Sequence, residues 1–287
     1  NRVVGKWNAW HKNGKQQSQF FYNAKGKAHG DFKGWHENGK LHFEGTWIEG
    51  KRVGAWKTWH ADGKIDWQGS FDNDGERHGL STDHHENGAK KSEYTWNHGE
   101  RTGTAQQWHK NKQLQFKGDY VKDLEDGKHV FFHASGKSAG EVLYTMGDGT
   151  VSLTHENGNA WEKGVRKAGK RHGTWTTWWE GGGVRLELVL DMESGGATFW
   201  YEDGKKWGNA ALLDGNWHGA WTEVHPGGQD KEKGTYKDGY KHGTWERFST
   251  SGEKIYSSCW LAGTVILLDA CSPEMLDPVD VGAASGG

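Results

Sequence analysis

One glycine recurs along this chain at an interval too regular for chance. It stands at Gly5, Gly30, Gly54, Gly79, Gly103, Gly127, Gly149, Gly173, Gly195, Gly219 and Gly243, with successive spacings of 22 to 25 residues. A fixed period of this length is the mark of a repeat architecture. Each unit is too small to bury its own apolar face and must stack on its neighbours. The chain therefore reads as about eleven copies of one ~24-residue unit.

Other columns keep the same register. Six residues after the opening glycine come His11, His36, His60, His85, His109, His133, His155 and His225, with Trp179, Tyr201 and Ser249 in the remaining units. Nine residues after it comes a second glycine, from Gly14 to Gly252, with Lys112 as the exception. Asn or Asp often precedes that glycine, as at Asn13, Asn38, Asp62, Asn87, Asn157 and Asp203. Asn-Gly and Asp-Gly predict a two-residue type I′ hairpin turn, with positive φ at both central residues. A second turn closes most units, as at Glu49-Gly50, Asp74-Gly75, His98-Gly99, Ala168-Gly169 and Asp238-Gly239.

Two turns per unit imply two short strands. The runs between turns, such as Thr46-Trp47-Ile48 and Gly234-Thr235-Tyr236, carry strand-favouring residues. No stretch sustains a helical period. The expected fold is all-β: an elongated single-layer antiparallel β-meander of about eleven hairpin repeats over residues 1–263. Residues 264–287 are expected to form a C-terminal capping strand and tail. Val265 to Leu268 is predicted to cover the open sheet edge, or alternatively to add as a strand to a neighbouring molecule.

Composition narrows the function classes. With 45 Gly but only 3 Pro, the chain is neither collagen-like nor a Pro-rich linker, and 19 Trp argue against disorder. Lys and Arg number 36 against 38 Asp and Glu, with no basic stripe, so no nucleic-acid partner is expected. No apolar run approaches the ~18 residues of a transmembrane helix. The two cysteines, Cys259 and Cys271, lack zinc-type spacing and read either as one disulfide or as two free thiols. A start at Asn1 fits a processed N-terminus and an arbitrary boundary equally.

The units resemble MORN repeats (membrane occupation and recognition nexus), most closely the shorter bacterial variant. Gly54-Ala55-Trp56-Lys57-Thr58-Trp59-His60-Ala61-Asp62-Gly63-Lys64 carries that motif, as do Gly5 through Lys15 and Gly243-Thr244-Trp245 with Gly252. The resemblance spans about residues 1–263. It thins in the units opening at Gly127, Gly149 and Gly195, where His129, Val151 and Ala197 replace the first Trp. The motif residues are structural, so the resemblance implies a fold and no catalytic site. It also implies an antitoxin-like label for bacterial members and scaffold or membrane-associated roles for eukaryotic ones, and a shared fold does not fix function.

Two aromatic columns supply the candidate contacts. The first holds Trp7, Phe32, Trp56, Trp175, Trp221 and Trp245, two residues after the opener. The second, five after it, includes Trp10, Trp35, Trp59, Trp108, Trp178 and Trp200. Parity places the columns on opposite faces unless a bulge at the glycine intervenes. Aromatic stacking is expected to hold the sheet together, with the second column as the candidate partner or ligand surface.

Members of the His column should sit ~10 Å apart with parallel side chains, whereas metal ligands must converge. The column is therefore read as structural turn chemistry, and no metal is expected. No nucleophile elbow, His-Glu-x-x-His or phosphate-binding loop occurs, so neither an enzyme nor a cofactor is expected. The expected role is a non-enzymatic scaffold for protein–protein interaction in a cell-envelope or surface assembly, in an extracytoplasmic location. The alternatives are a glycan-binding module using a Trp ladder, and a cytoplasmic antitoxin-like partner.

Overall fold

The computed structural model describes residues 3–266. These form 23 strands and no helix, each strand pairing antiparallel with its sequence neighbours within its sheet. The chain is an all-β meander of consecutive hairpins. The strands divide into two sheets, where the unbroken period predicted one. The first unit, Asn1–Asp148, carries twelve strands from Gly5–Trp10 to Ser138–Tyr144. The second, Gly149–Gly287, carries eleven, from Gly149–Thr154 to Thr264–Ile266. A local period records how each hairpin is built and says nothing about where a ladder stops.

Two kinds of turn alternate, and their assignment reverses the sequence expectation. In the Asn-Gly turns, the His N–H and C=O both close the loop. His11 N–H donates to Lys15 O at 2.8 Å, and Gly14 N–H donates to His11 O at 3.0 Å. Only the glycine has positive φ, 78° at Gly14. This is a three-residue loop with one left-handed residue, and not the type I′ turn predicted. The reason lies in the Asn side chain. Asn13 Oδ1 accepts the Lys15 N–H at 3.0 Å, an Asx-type brace that holds the Asn backbone on the negative-φ side. Most of the second turns are the two-residue loops, as where Glu49 and Gly50 both take positive φ, 50° and 86°, whereas the turns at Asn23–Lys27 and Asp72–Glu76 are three-residue loops of the first kind.

Six of the opening glycines, Gly54, Gly103, Gly127, Gly173, Gly219 and Gly243, sit inside strands at bulges. Glu44 pairs with Lys57 and Thr46 with Val53, so Gly54, Ala55 and Trp56 stand opposite Gly45 alone. The same irregularity sets Gly173–Trp175 opposite Gly164 and Gly243–Trp245 opposite Gly234. Each Trp lies flat against a bare glycine. A Cβ on Gly45 would fall 2.1 Å from Trp56 Cδ2, and one on Gly234 would fall 2.2 Å from Trp245 Cδ2. The core is this interior column: Phe32, Trp56, His129, Trp175 and Trp245 are all buried. Where the column shrinks to the buried Ala105, Tyr94 stands at the facing position and packs against the Ala105, Phe116 and Tyr120 cluster. Size is thus exchanged across the bulge.

The last described strand, Thr264–Ile266, pairs with Lys254–Leu261, placing Val265 opposite Trp260. The rest of the proposed cap, including Leu268 and Cys271, lies outside the described residues.

Candidate functional site

The His column is an inter-repeat clasp. His11 Nε2 lies 2.8 Å from Trp35 O, His36 Nε2 2.7 Å from Trp59 O, and His85 Nε2 2.9 Å from Trp108 O. His109, His155 and His225 make the same bond to Phe132 O, Trp178 O and Phe248 O. A carbonyl can only accept, so each Nε2 carries a proton. Trp179 and Tyr201, standing in the column in place of His, keep the donor: Trp179 Nε1 reaches Trp200 O at 3.2 Å and Tyr201 Oη reaches Val224 O at 2.9 Å. His60 and His133 depart from the pattern, each with a buried Nε2 lacking a hydrogen-bond partner. Asn side chains add a second clasp, with Asn13 Nδ2 donating to Glu37 O at 2.8 Å and Asn87 Nδ2 to Lys110 O at 2.8 Å.

The carbonyls that receive these bonds belong to the second aromatic column. Of Trp10, Trp35, Trp59, Trp108, Trp178 and Trp200, only Trp10 is exposed, at 60 %, and the other five are half-buried. Trp108 lies against the preceding hairpin turn, with Lys90 Nζ 5.0 Å from its ring centroid. The continuous aromatic ladder runs elsewhere, through the first column and the return strands. Phe32, Trp47, Trp56 and Phe71 follow one another at centroid separations of 5.6, 5.8 and 6.2 Å. The bulge at Gly54 explains why Trp56 joins the ladder: it turns the ring over Gly45. From Trp56 the strand is regular through Thr58, so Trp59 alternates away.

This ladder floors a concavity of the first unit, about 470 Å³, lined by Phe32, Trp47, Trp56, Trp67 and Phe71 together with Phe20, Phe43, His42, Thr58, Arg52 and Arg77. Arg52 lies over three rings at once, 5.5–5.6 Å from the centroids of Trp47, Trp56 and Phe71. Arg77 lies 5.6 Å from Trp67 and 4.9 Å from Trp96. Neither guanidinium has a carboxylate partner among the described residues, whereas Arg101, at the equivalent place one hairpin on, is bound to Asp123 at 2.8 Å. Burial, and then the nearby His36, push the His42 imidazole below its ordinary value, so it contributes a neutral ring to the wall. An apolar floor carrying two unpaired cations suits a ligand with aromatic or aliphatic bulk and negative charge.

Sequence alone assigns these arginines no site role, because Arg52, Arg77 and Arg101 share one position just after the second turn and differ only in partner. A smaller concavity in the second unit, about 390 Å³, repeats the chemistry: Arg185 lies 4.8 Å from the Trp179 ring, with Phe199, Trp200, Tyr201 and Trp207 around it.

No helix among the described residues is long and apolar enough to cross a membrane. No curated protein matches the chain. A family described as MORN repeat variant matches over residues 28–49 and 101–122, each match beginning two residues before an opening glycine and carrying that unit's His and second-strand aromatics. Glycine-bulged hairpins clasped repeat to repeat, with two stretches matching that family directly, are consistent with a MORN-repeat protein.

Proposed function

We propose that this protein is a non-enzymatic scaffold that binds a protein partner through the aromatic–arginine concavity of its first unit. The observation that carries this reading is the pair Arg52 and Arg77, stacked on tryptophans and free of carboxylates among the described residues. Arg and Trp set side by side are characteristic of binding hot spots, and the missing counter-charge is what a partner's Asp or Glu would supply. The partner surface is therefore acidic and apolar.

A glycan reading would use Trp10, Trp35, Trp59, Trp108, Trp178 and Trp200. It draws less support, because five of these rings are half-buried and their backbone carbonyls brace the repeats. The test is cross-linked affinity capture with the full chain, beside an Arg52→Glu/Arg77→Glu variant. Saturable capture of one protein by the wild type and its loss in the variant support the proposal. Equal capture by both chains, or Trp quenching by polysaccharide alone, overturns it.

We place the protein outside the cytoplasm, in a cell-envelope or surface assembly. Cys259 is fully buried and disulfide-bonded, and stable disulfides belong to oxidising compartments. Cys271, the chain's other cysteine, lies outside the described residues. Alkylation of the native protein under denaturing, non-reducing conditions should label neither cysteine. Labelling of both would favour the cytoplasmic, antitoxin-like alternative.

A further inference from the structure

We infer that Asp72, His78 and His98 form a site for a borderline-soft divalent cation of the Zn2+, Co2+ and Ni2+ class. The three residues come from two successive turns on one side of the first unit, with Asp72 and His78 flanking the first and His98 opening the second. Asp72 follows the strand Ile65–Phe71, and its Oδ1 accepts the N–H of Asp74 and of Glu76, both at 2.9 Å. Those two bonds fix the carboxylate and leave Oδ2 facing His98, whose Nδ1 is 2.6 Å away. His98 opens the two-residue turn after the strand Lys90–Asn97. His78 is held by its N–H bond to Ser70 O at 2.9 Å, with its ring centroid 5.1 Å from that of His98.

The ligand atoms of all three lie within 4.8 Å of one another. Zn2+ bonds to imidazole nitrogen and carboxylate oxygen at ~2.0–2.2 Å, which sets ligand atoms about 3.3 Å apart in a tetrahedron. Both imidazoles are exposed, so small rotations close that difference. Two imidazoles and one carboxylate are the donor set of Zn2+, Co2+, Ni2+ and Cu2+, and not of Mg2+ or Ca2+, which take oxygen. Parallel columns cannot gather ligands, but residues at different positions of neighbouring hairpins can converge.

The repeat supplies its own control. The same three positions recur 49 residues earlier as Asn23, His29 and Glu49. There Asn23 Nδ2 donates to Glu49 Oε1 at 2.6 Å, and His29 Nδ1 stands 4.0 Å from that oxygen. The earlier trio is a hydrogen-bonded brace. Asp for Asn and His for Glu remove the amide donor and add a second imidazole, converting the brace into a ligand set.

The test is titration of the metal-free full chain with Zn2+ by calorimetry and with Co2+ by visible absorption. One strong site is expected. Asp72→Asn, His78→Gln and His98→Gln should each weaken it by at least about tenfold, while His29→Gln leaves it unchanged. The turn should survive Asp72→Asn, because Asn23 caps the same turn through Lys25 N and Lys27 N. Far-ultraviolet circular dichroism verifies the fold of each variant. No uptake of either metal, or uptake that all three variants retain, overturns the inference. The second result would place the metal among the chain's other histidines.

Discussion

At the scale of single residues, the repeat works through donors and through missing side chains. The column six residues after each opening glycine needs a group that donates to a carbonyl one repeat on, and His, Trp and Tyr all meet that need. His109→Phe should therefore destabilise the protein by about 0.5–1.5 kcal/mol, the net worth of such a bond. His109→Tyr should recover much of that, since Tyr201 already reaches Val224 O from the same column. Equilibrium urea denaturation of the two variants separates the hydroxyl from the ring. Lys112 offers the converse case. It occupies the second-glycine position with φ 71°, a left-handed conformation costly for a residue with a Cβ. Lys112→Gly should stabilise by about 0.5–1 kcal/mol, after allowing for the greater freedom of glycine in the unfolded chain. Thermal melts would register this as a rise in Tm.

At the scale of the hairpin, the bulge is the decisive element. It brings three residues opposite one and presses an aromatic ring onto a bare Cα, so Gly45→Ala must displace Trp56 or the strand beneath it. Overpacking of this kind costs about 1–3 kcal/mol, and a lower urea midpoint with unchanged slope is the expected result. Turn-to-turn ion pairs add a pH-sensitive component. Partial burial pushes the Asp123 carboxyl up, but the hydrogen bonds and charge of Arg101 outweigh it and hold the carboxyl below its ordinary value. A depressed carboxylate contributes stability above its unfolded pKa, and that contribution is lost as pH falls through the folded value. Stability should thus decline below about pH 4. Arg101→Gln should flatten part of that decline in urea titrations run from pH 7 to pH 3. The effect is small, because both side chains are partly exposed and solvent screens the pair.

At the scale of the whole molecule, stability is a sum over neighbours. Strands contact their sequence neighbours, and the chain falls into two compact units, Asn1–Asp148 and Gly149–Gly287. In such arrays each unit carries its own stability and its own interface terms. Residues 1–148 expressed alone should give a strand-type circular dichroism spectrum and a cooperative urea transition. A random-coil spectrum for this fragment would show that its sheet depends on the second unit. Both arginines of the aromatic concavity belong to this fragment, so it should also retain the capture activity proposed for the full chain.

The sequence by itself determined the repeat, the all-β class, the hairpin count and the positions of the turns. Glycine period and aromatic periodicity are local properties that backbone sterics translate directly into strand and turn. The His column reads in sequence as turn chemistry, and six of its eight histidines bond to a carbonyl one repeat on. Tertiary structure alone decided the rest. It showed which turn carries two positive-φ residues, because the Asn13 side chain outcompetes the Asn-Gly preference through a bond to Lys15 N–H. It placed the continuous ladder in the Trp56 column, because the bulge at Gly54 turns that ring over Gly45 while Trp59 lies on the opposite parity. It also gathered Arg52 with three rings, and Asp72 with His78 and His98, because residues scattered along the period meet only once neighbouring hairpins lie side by side.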